Sequence, residues 1–237
     1  MEFSKRDIII SSWQKLKSHL GLWILIILFI LCLNIIISAI QERLLDDITP
    51  QTILFIIAAY MFQAGLNLGM LKIALNINGH KKVEFNLIFG SFHMLAAYIL
   101  SSIVYLTLLV CAASPGIILF LISVSSDINS FTDQEERSTA AFIIPLLFII
   151  IPAAYASIRL QFYDYFLIDE ECGPIDSIKN SIKHTKGYAG ELFILGAVLS
   201  IIVLISMIPL MIGLIISVPL AIMVNTHVYL KLKNSHQ

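Results

Sequence analysis

Long uncharged apolar runs alternate with short polar segments along this chain. The runs cover about 20–40, 52–75, 88–124, 140–168, 191–210 and 212–230. A hydrocarbon core ~30 Å thick needs about 20 mostly apolar residues per helical crossing, and each run meets that length. Inside a bilayer the backbone polar groups have to be satisfied within the segment, which predicts helices rather than open strands. The expected fold is all-α: a polytopic transmembrane bundle of six spans.

Several runs carry their own interruptions. A straight helix over 88–124 would be about 55 Å long at 1.5 Å per residue, well beyond the ~30 Å core. It must kink, tilt or project, and Pro115 is the expected bend. Pro145 and Pro152 can kink the run 140–168, and Pro219 lies inside the last run. The turn around Gly213 is short, so the last two runs should pair as a tight antiparallel hairpin. Asn34 is the main polar group of the first run. The second holds Gln63 and Asn67, four apart and on one face, beside a Gly65-x-x-x-Gly69 pair. Such a pair lets helices approach closely, so the amides either bond across a helix contact or line a polar cavity.

Two polar segments have helical amphipathicity. In 1–19, Ser4 and Asp7 resemble a capping box, and Ile9, Trp13, Leu16 and Leu20 share a face. In 174–186, Pro174 suits the first helical position and Gly187 the C-terminal cap. Ile175, Ile178 and Ile182 mark one face there, and Lys179, Lys183 and Lys186 another. Both segments are expected to lie in the cytoplasmic membrane interface, with the three lysines on lipid headgroups.

Composition agrees with this pattern. Of 237 residues, 58% are hydrophobic and 13% charged, and the mean hydropathy is +0.90. Soluble domains carry about 25% charged residues. Under a six-span threading, all Lys and Arg except Arg43 and Arg137 fall on the side that holds both termini. Basic residues favour the cytoplasm, so both termini are expected there, in a bacterial inner membrane. The first run lacks a small-x-small cleavage pattern and is expected to be a retained anchor. Acidic connections, 41–50 and 126–138, fall on the opposite side. Cys32, Cys111 and Cys172 are isolated and suggest neither disulfides nor metal ligands.

Little in the chain points to catalysis. Ionisable groups within spans are functional candidates by default, which singles out Arg159 and Asp164. On one continuous helix these two lie about 140° apart and cannot pair along a face. Tyr163 can reach Arg159 at i+4, and Glu191 is a candidate ionic partner from the next span. Arg159, Asp164, Glu191, Gln63 and Asn67 thus form the candidate polar intramembrane site. The alternative is that Arg159 snorkels to phosphates or staples helices together. His19, His80, His93, His184, His227 and His236 are scattered, mostly at run boundaries. There is no HExxH and no phosphate-binding Gly loop. Asp169, Glu170 and Glu171 precede a helix start and suit its positive end better than a cation. No cofactor, metal or nucleic acid is expected.

The stretch 152–192 also carries a resemblance. Arg159 and Tyr165, followed by IDEECGPIDSIKNSIKHTKG, resemble a family of bacterial polytopic membrane proteins of unknown function. That family is related to the membrane-embedded domain of glycerophosphoryl diester phosphodiesterases. FNLIFGSF (Phe85–Phe92) and SPGI (Ser114–Ile117) fit the same family, and the similarity spans roughly residues 60–232. An acidic insertion around 126–139 departs from it. The resemblance implies a multi-helix membrane domain and no activity, since the relatives' catalysis belongs to a separate soluble domain. Two functions are therefore carried forward. The first is a non-enzymatic membrane protein that organises lipids, anionic ones included, or protein partners, which could be further copies of itself. The second is a small transporter or permease-like component.

Overall fold

The structure, a computed structural model, describes residues 4–44, 49–129, 140–208 and 212–235. They form α1 (Lys5–Ser18), α2 (Leu20–Leu44), α3 (Pro50–Asn78), two 3₁₀ turns (Phe85–Phe89 and Phe92–Met94) and α4 (Leu95–Asn129). There follow α5 (Ala140–Leu160), α6 (Tyr163–Glu170), α7 (Pro174–His184), α8 (Ala189–Met207) and α9 (Leu214–Asn234). No strand occurs among the described residues. Six helical segments are long and apolar enough to cross a membrane, α5 and α6 counting as one. Arg137, Asp46, Asp47, His236 and most of the acidic segment 126–138 lie outside the described residues, as does 209–211 in the last hairpin.

The core lies toward one end of the bundle. There the C-terminal half of α3 packs against α6 and α9, with Tyr165, Phe166, Leu167 and Ile168 of α6 buried in succession. Four successive buried residues mean that α6 is packed on every side. Tyr229 of α9 is its hub, stacked on Tyr165 at 5.4 Å and edge-on to Phe166 at 4.9 Å. The other halves of the outer helices expose their apolar residues: Leu54 is 68% exposed, Leu121 61% and Ile151 63%. Such surfaces suit a hydrocarbon solvent and not water.

The local departures from expectation have physical causes. The third span begins as two 3₁₀ turns, and its α-helix starts at Leu95 rather than 88. The reason lies in α3: a Cβ on Gly69 would overlap the Ile88 carbonyl, and one on Gly65 would sit 2.6 Å from the Phe92 ring. The glycine pair therefore admits a 3₁₀ segment and not a second helix. Helix α4 continues through Pro115 as one element. The carbonyl of Cys111, which loses its N–H partner to the proline, accepts the Ser114 hydroxyl at 2.8 Å. Gly116 then packs directly on the α5 backbone at Phe148–Ile149.

The fourth span breaks at Gln161–Phe162, beyond both of its prolines. Helix α7 ends at His184, two residues short of the expected 186, and Gly187 takes the left-handed φ of 89° in the turn that follows. In α1 the buried face is Ile8, Ser12 and Leu16, packed on α9, while Trp13 is 37% exposed. Lys15 donates to Asn78 Oδ1 at 3.0 Å, and burial lowers its pKa below the usual lysine value. Gly213 lies tight against the Ser206 backbone, so α8 and α9 do pair as a close hairpin.

Candidate functional site

The break between α5 and α6 exposes backbone groups in an apolar surround, and α7 satisfies them. Ser181 Oγ accepts the Phe162 N–H at 3.2 Å and donates to the Arg159 carbonyl at 2.9 Å. Thr185 Oγ1 lies 3.1 Å from the same carbonyl. Ser177, Ser181 and Thr185 are fully buried, at i, i+4 and i+8 along α7. The guanidinium of Arg159 donates from Nη2 to the Ile182 carbonyl at 2.7 Å. It thus meets the negative end of the α7 dipole, where a cation is favoured.

That geometry replaces the partners expected from the sequence. No ion pair joins Arg159 to Glu191, whose Oε2 is buried without a hydrogen-bond partner. The break at 161–162 also turns Tyr163 away from a simple i+4 contact. Tyr163 instead approaches Ser102 Oγ at 3.1 Å and stacks with Tyr105 at 5.3 Å and Tyr98 at 6.3 Å.

Three other members of the candidate set converge. Asn67 and Asp164 line one cavity of about 220 Å³ together with Tyr98 and Met70. Tyr98 also borders a neighbouring cavity of about 360 Å³, with Tyr60, Ser102, Tyr105 and Tyr163. On the opposite side Asn67 borders a smaller cavity of about 70 Å³ with Asn34 and Gln63. Gln63 Nε2 donates to Asn34 Oδ1 at 2.9 Å, so that pair bonds across the α2–α3 contact. Asp164 Oδ1 accepts the Tyr165 N–H at 2.9 Å. These cavities, each sharing one lining residue with the next, form a furrow bordered by α2, α3, α4, α6 and α9 that includes Asn67, Gln63 and Asp164 and leaves out Arg159 and Glu191.

The tyrosines and hydroxyls were legible but unread. Tyr98, Ser102 and Tyr105 sit at i, i+4 and i+7, a polar stripe on one helix face. Ser177, Ser181 and Thr185 form a second such stripe, hidden behind the more obvious isoleucine and lysine faces.

Helix α7 carries the other candidate surface. Its inner face is Ser177, Ile178, Ser181 and Thr185, so Ile178 leaves the expected isoleucine stripe and joins the core. Ile175 is 58% exposed and Ile182 38%. At 100° per residue these two lie between the buried face and Lys179, Lys183 and Lys186, which are all exposed. Lys179 lies 3.9 Å from Asp176 in an exposed i, i+3 pair.

The carboxylates before α7 serve the C-terminus of α9. Asp169 Oδ2 accepts from Tyr229 at 2.9 Å and Lys233 at 2.7 Å. Glu170 Oε1 lies 3.2 Å from Lys233, and its Oε2 accepts from Asn180 at 3.0 Å. Glu171 adopts the left-handed conformation that ends α6, with φ of 48°. The nearby Cys172 donates to the Phe166 carbonyl at 3.4 Å. Burial first, then the Glu170 charge, raises its pKa above the usual thiol value, which disfavours the reactive thiolate. No group of three or more His, Cys, Asp and Glu suited to a metal ion occurs among the described residues.

The fold defines an all-α polytopic membrane protein, with six helical segments long and apolar enough to cross a bilayer. The chain belongs to the family described as "Protein of unknown function (DUF975)", whose profile matches residues 1–236. The match covers nearly the whole chain, wider than the 60–232 suggested by its motifs. It shows no link to glycerophosphoryl diester phosphodiesterases. No curated protein and no solved structure matches the chain.

Proposed function

We propose that this protein is a non-enzymatic component of the bacterial cytoplasmic membrane, with both termini cytoplasmic, that gathers anionic lipid through α7. One observation carries the reading. Lys179, Lys183 and Lys186 are exposed beside the exposed apolar pair Ile175 and Ile182, on a helix pinned to the α5–α6 break. An apolar strip edged by lysines suits the boundary between acyl chains and phosphates. Each lysine near an anionic surface contributes about 1 kcal/mol, and pinning removes the cost of ordering the helix on the lipid.

The test is lipid retention. The purified protein and a Lys179→Gln, Lys183→Gln, Lys186→Gln variant are compared for the anionic lipid each keeps from a mixed bilayer. The native chain should keep severalfold more phosphatidylglycerol relative to zwitterionic lipid. Equal enrichment in both would sink the proposal.

A second reading, a permease-like component with a polar site, is favoured by a separate observation: Asn67 and Asp164 line one cavity within the spans.

A further inference from the structure

We propose that the adjoining cavities around Asp164 and Tyr98 bind an organic ammonium group carried on an apolar body. The inference deepens the second reading above and is independent of α7.

Charge sets the sign of the ligand. Asp164 is the one charged residue on the walls of the three cavities, which hold no Lys, Arg or His. No ion pair within 4.0 Å joins Asp164 to a described basic residue. A carboxylate within a span normally faces a partner or a polar cavity, because an isolated charge there is costly. In this chain it shares its cavity with Asn67, Tyr98 and the apolar side chains of Leu68, Met70, Leu71 and Ile222. Phenol and amide oxygens accept hydrogen bonds from N–H donors, and tyrosine ring faces attract cations. An anionic ligand would meet the carboxylate with no countercharge.

Size and wall chemistry disfavour a bare divalent cation. Hard divalent cations take six or more oxygen ligands in a close shell. One carboxylate, one amide and one tyrosine border the cavity of about 220 Å³, and the adjoining one of about 360 Å³ is lined by four tyrosines, a serine and aliphatic side chains, with a single carboxylate between them. These volumes exceed the ~30 Å³ share of a water molecule many times over. They suit an ammonium head with a hydrocarbon part.

The approach runs from the lipid side. Tyr60 is 70% exposed, Ile103 56% and Leu106 58%, and all three border the larger cavity. A ligand entering there passes across the apolar exterior of the bundle before it reaches Asp164. Both a free hydrophobic amine and an aminolipid headgroup have this chemistry.

The experiment places a reporter thiol at Leu71→Cys, on the wall beside Asp164, in a background lacking Cys32, Cys111 and Cys172. N-Ethylmaleimide reacts with the thiolate, which forms only where water reaches. Labelling is followed in phosphatidylglycerol nanodiscs, with octyltrimethylammonium, octyl sulfate or neither added. It is then repeated in nanodiscs that also contain phosphatidylethanolamine. Labelling should slow about fivefold with octyltrimethylammonium and not with octyl sulfate, a ratio within reach of one cation–π and carboxylate contact. Asp164→Asn should abolish the protection and Tyr98→Leu should weaken it. Protection by phosphatidylethanolamine alone identifies an aminolipid, and protection by the added amine alone identifies a free amine.

Labelling that no ammonium compound slows would overturn the proposal while leaving a hydrated polar site intact. Equal protection by octyl sulfate, or protection that survives Asp164→Asn, overturns it as well. No labelling of a folded protein means a dry junction and removes both the proposal and the second reading. Should Asp164→Asn fail to fold, the sulfate comparison and Tyr98→Leu decide.

Discussion

Ser181 of α7 and Phe162 at the α5–α6 break are joined by a hydrogen bond of 3.2 Å, in which the Phe162 N–H donates to the serine hydroxyl. The same hydroxyl donates a hydrogen bond to the Arg159 carbonyl at 2.9 Å. A single buried side chain therefore repairs both sides of a helix interruption. Ser181→Ala leaves the Phe162 N–H buried and unpaired, a loss of about 1–3 kcal/mol. Thr185→Ala should cost less, because Arg159 keeps the Ser181 bond. Thermal unfolding in one detergent gives the comparison. A larger loss for Thr185→Ala would show that Ser181 does not carry the junction.

The two glycines of α3 differ in what they touch. Gly69 faces the backbone carbonyl of Ile88, whereas Gly65 faces the tip of the Phe92 side chain. A ring can rotate aside, but a backbone carbonyl held in a 3₁₀ turn cannot move without dragging its segment. Gly69→Ala should therefore destabilise strongly, at or above the ~1–3 kcal/mol typical of overpacking, and Gly65→Ala by less. Unfolding of the two variants by a denaturing detergent checks the order. Equal losses would mean that the 3₁₀ segment yields as readily as a side chain.

The ends of α6 and α9 are fastened by Asp169, Tyr229 and Lys233. Both Tyr229→Phe and Lys233→Met should destabilise, by about 1–2 kcal/mol each, the usual scale of a hydrogen bond to a charged group. They share Asp169 Oδ2 as acceptor, so their effects should not add. A double-mutant cycle on thermal unfolding measures the coupling. Strict additivity would mean that the two bonds act separately.

Much of the architecture was legible in one dimension. A run of some twenty apolar residues has few alternatives in a bilayer, so run length alone pointed to six helices long and apolar enough to cross it. Pro174 at the first turn of α7, Gly187 at φ 89° and the close hairpin at Gly213 also followed from local rules. The presence of polar groups in the spans was equally plain, and Asn67 and Asp164 do share a cavity.

Their partners could not be read in the same way. Periodicity places a residue on a face but says nothing about which element covers that face. Gly65 and Gly69 suggested a second helix, and a 3₁₀ turn occupies them. Ile178 looked like part of a lipid-facing stripe, yet it is buried on the inner face of α7. Arg159 appeared to need a carboxylate, yet α7 ends beside it and offers the Ile182 carbonyl. Each of these outcomes depends on which other element covers the face.

Sequence by itself determined that this is a helical membrane chain with six helices long and apolar enough to cross, because bilayer thickness and helical rise leave little choice. Only the tertiary structure decided which polar residues meet. That depends on where a span is interrupted and what then packs against the interruption, and no period along the chain encodes it. The furrow at Asp164 and the clasp of α7 on Arg159 both arise from that one break.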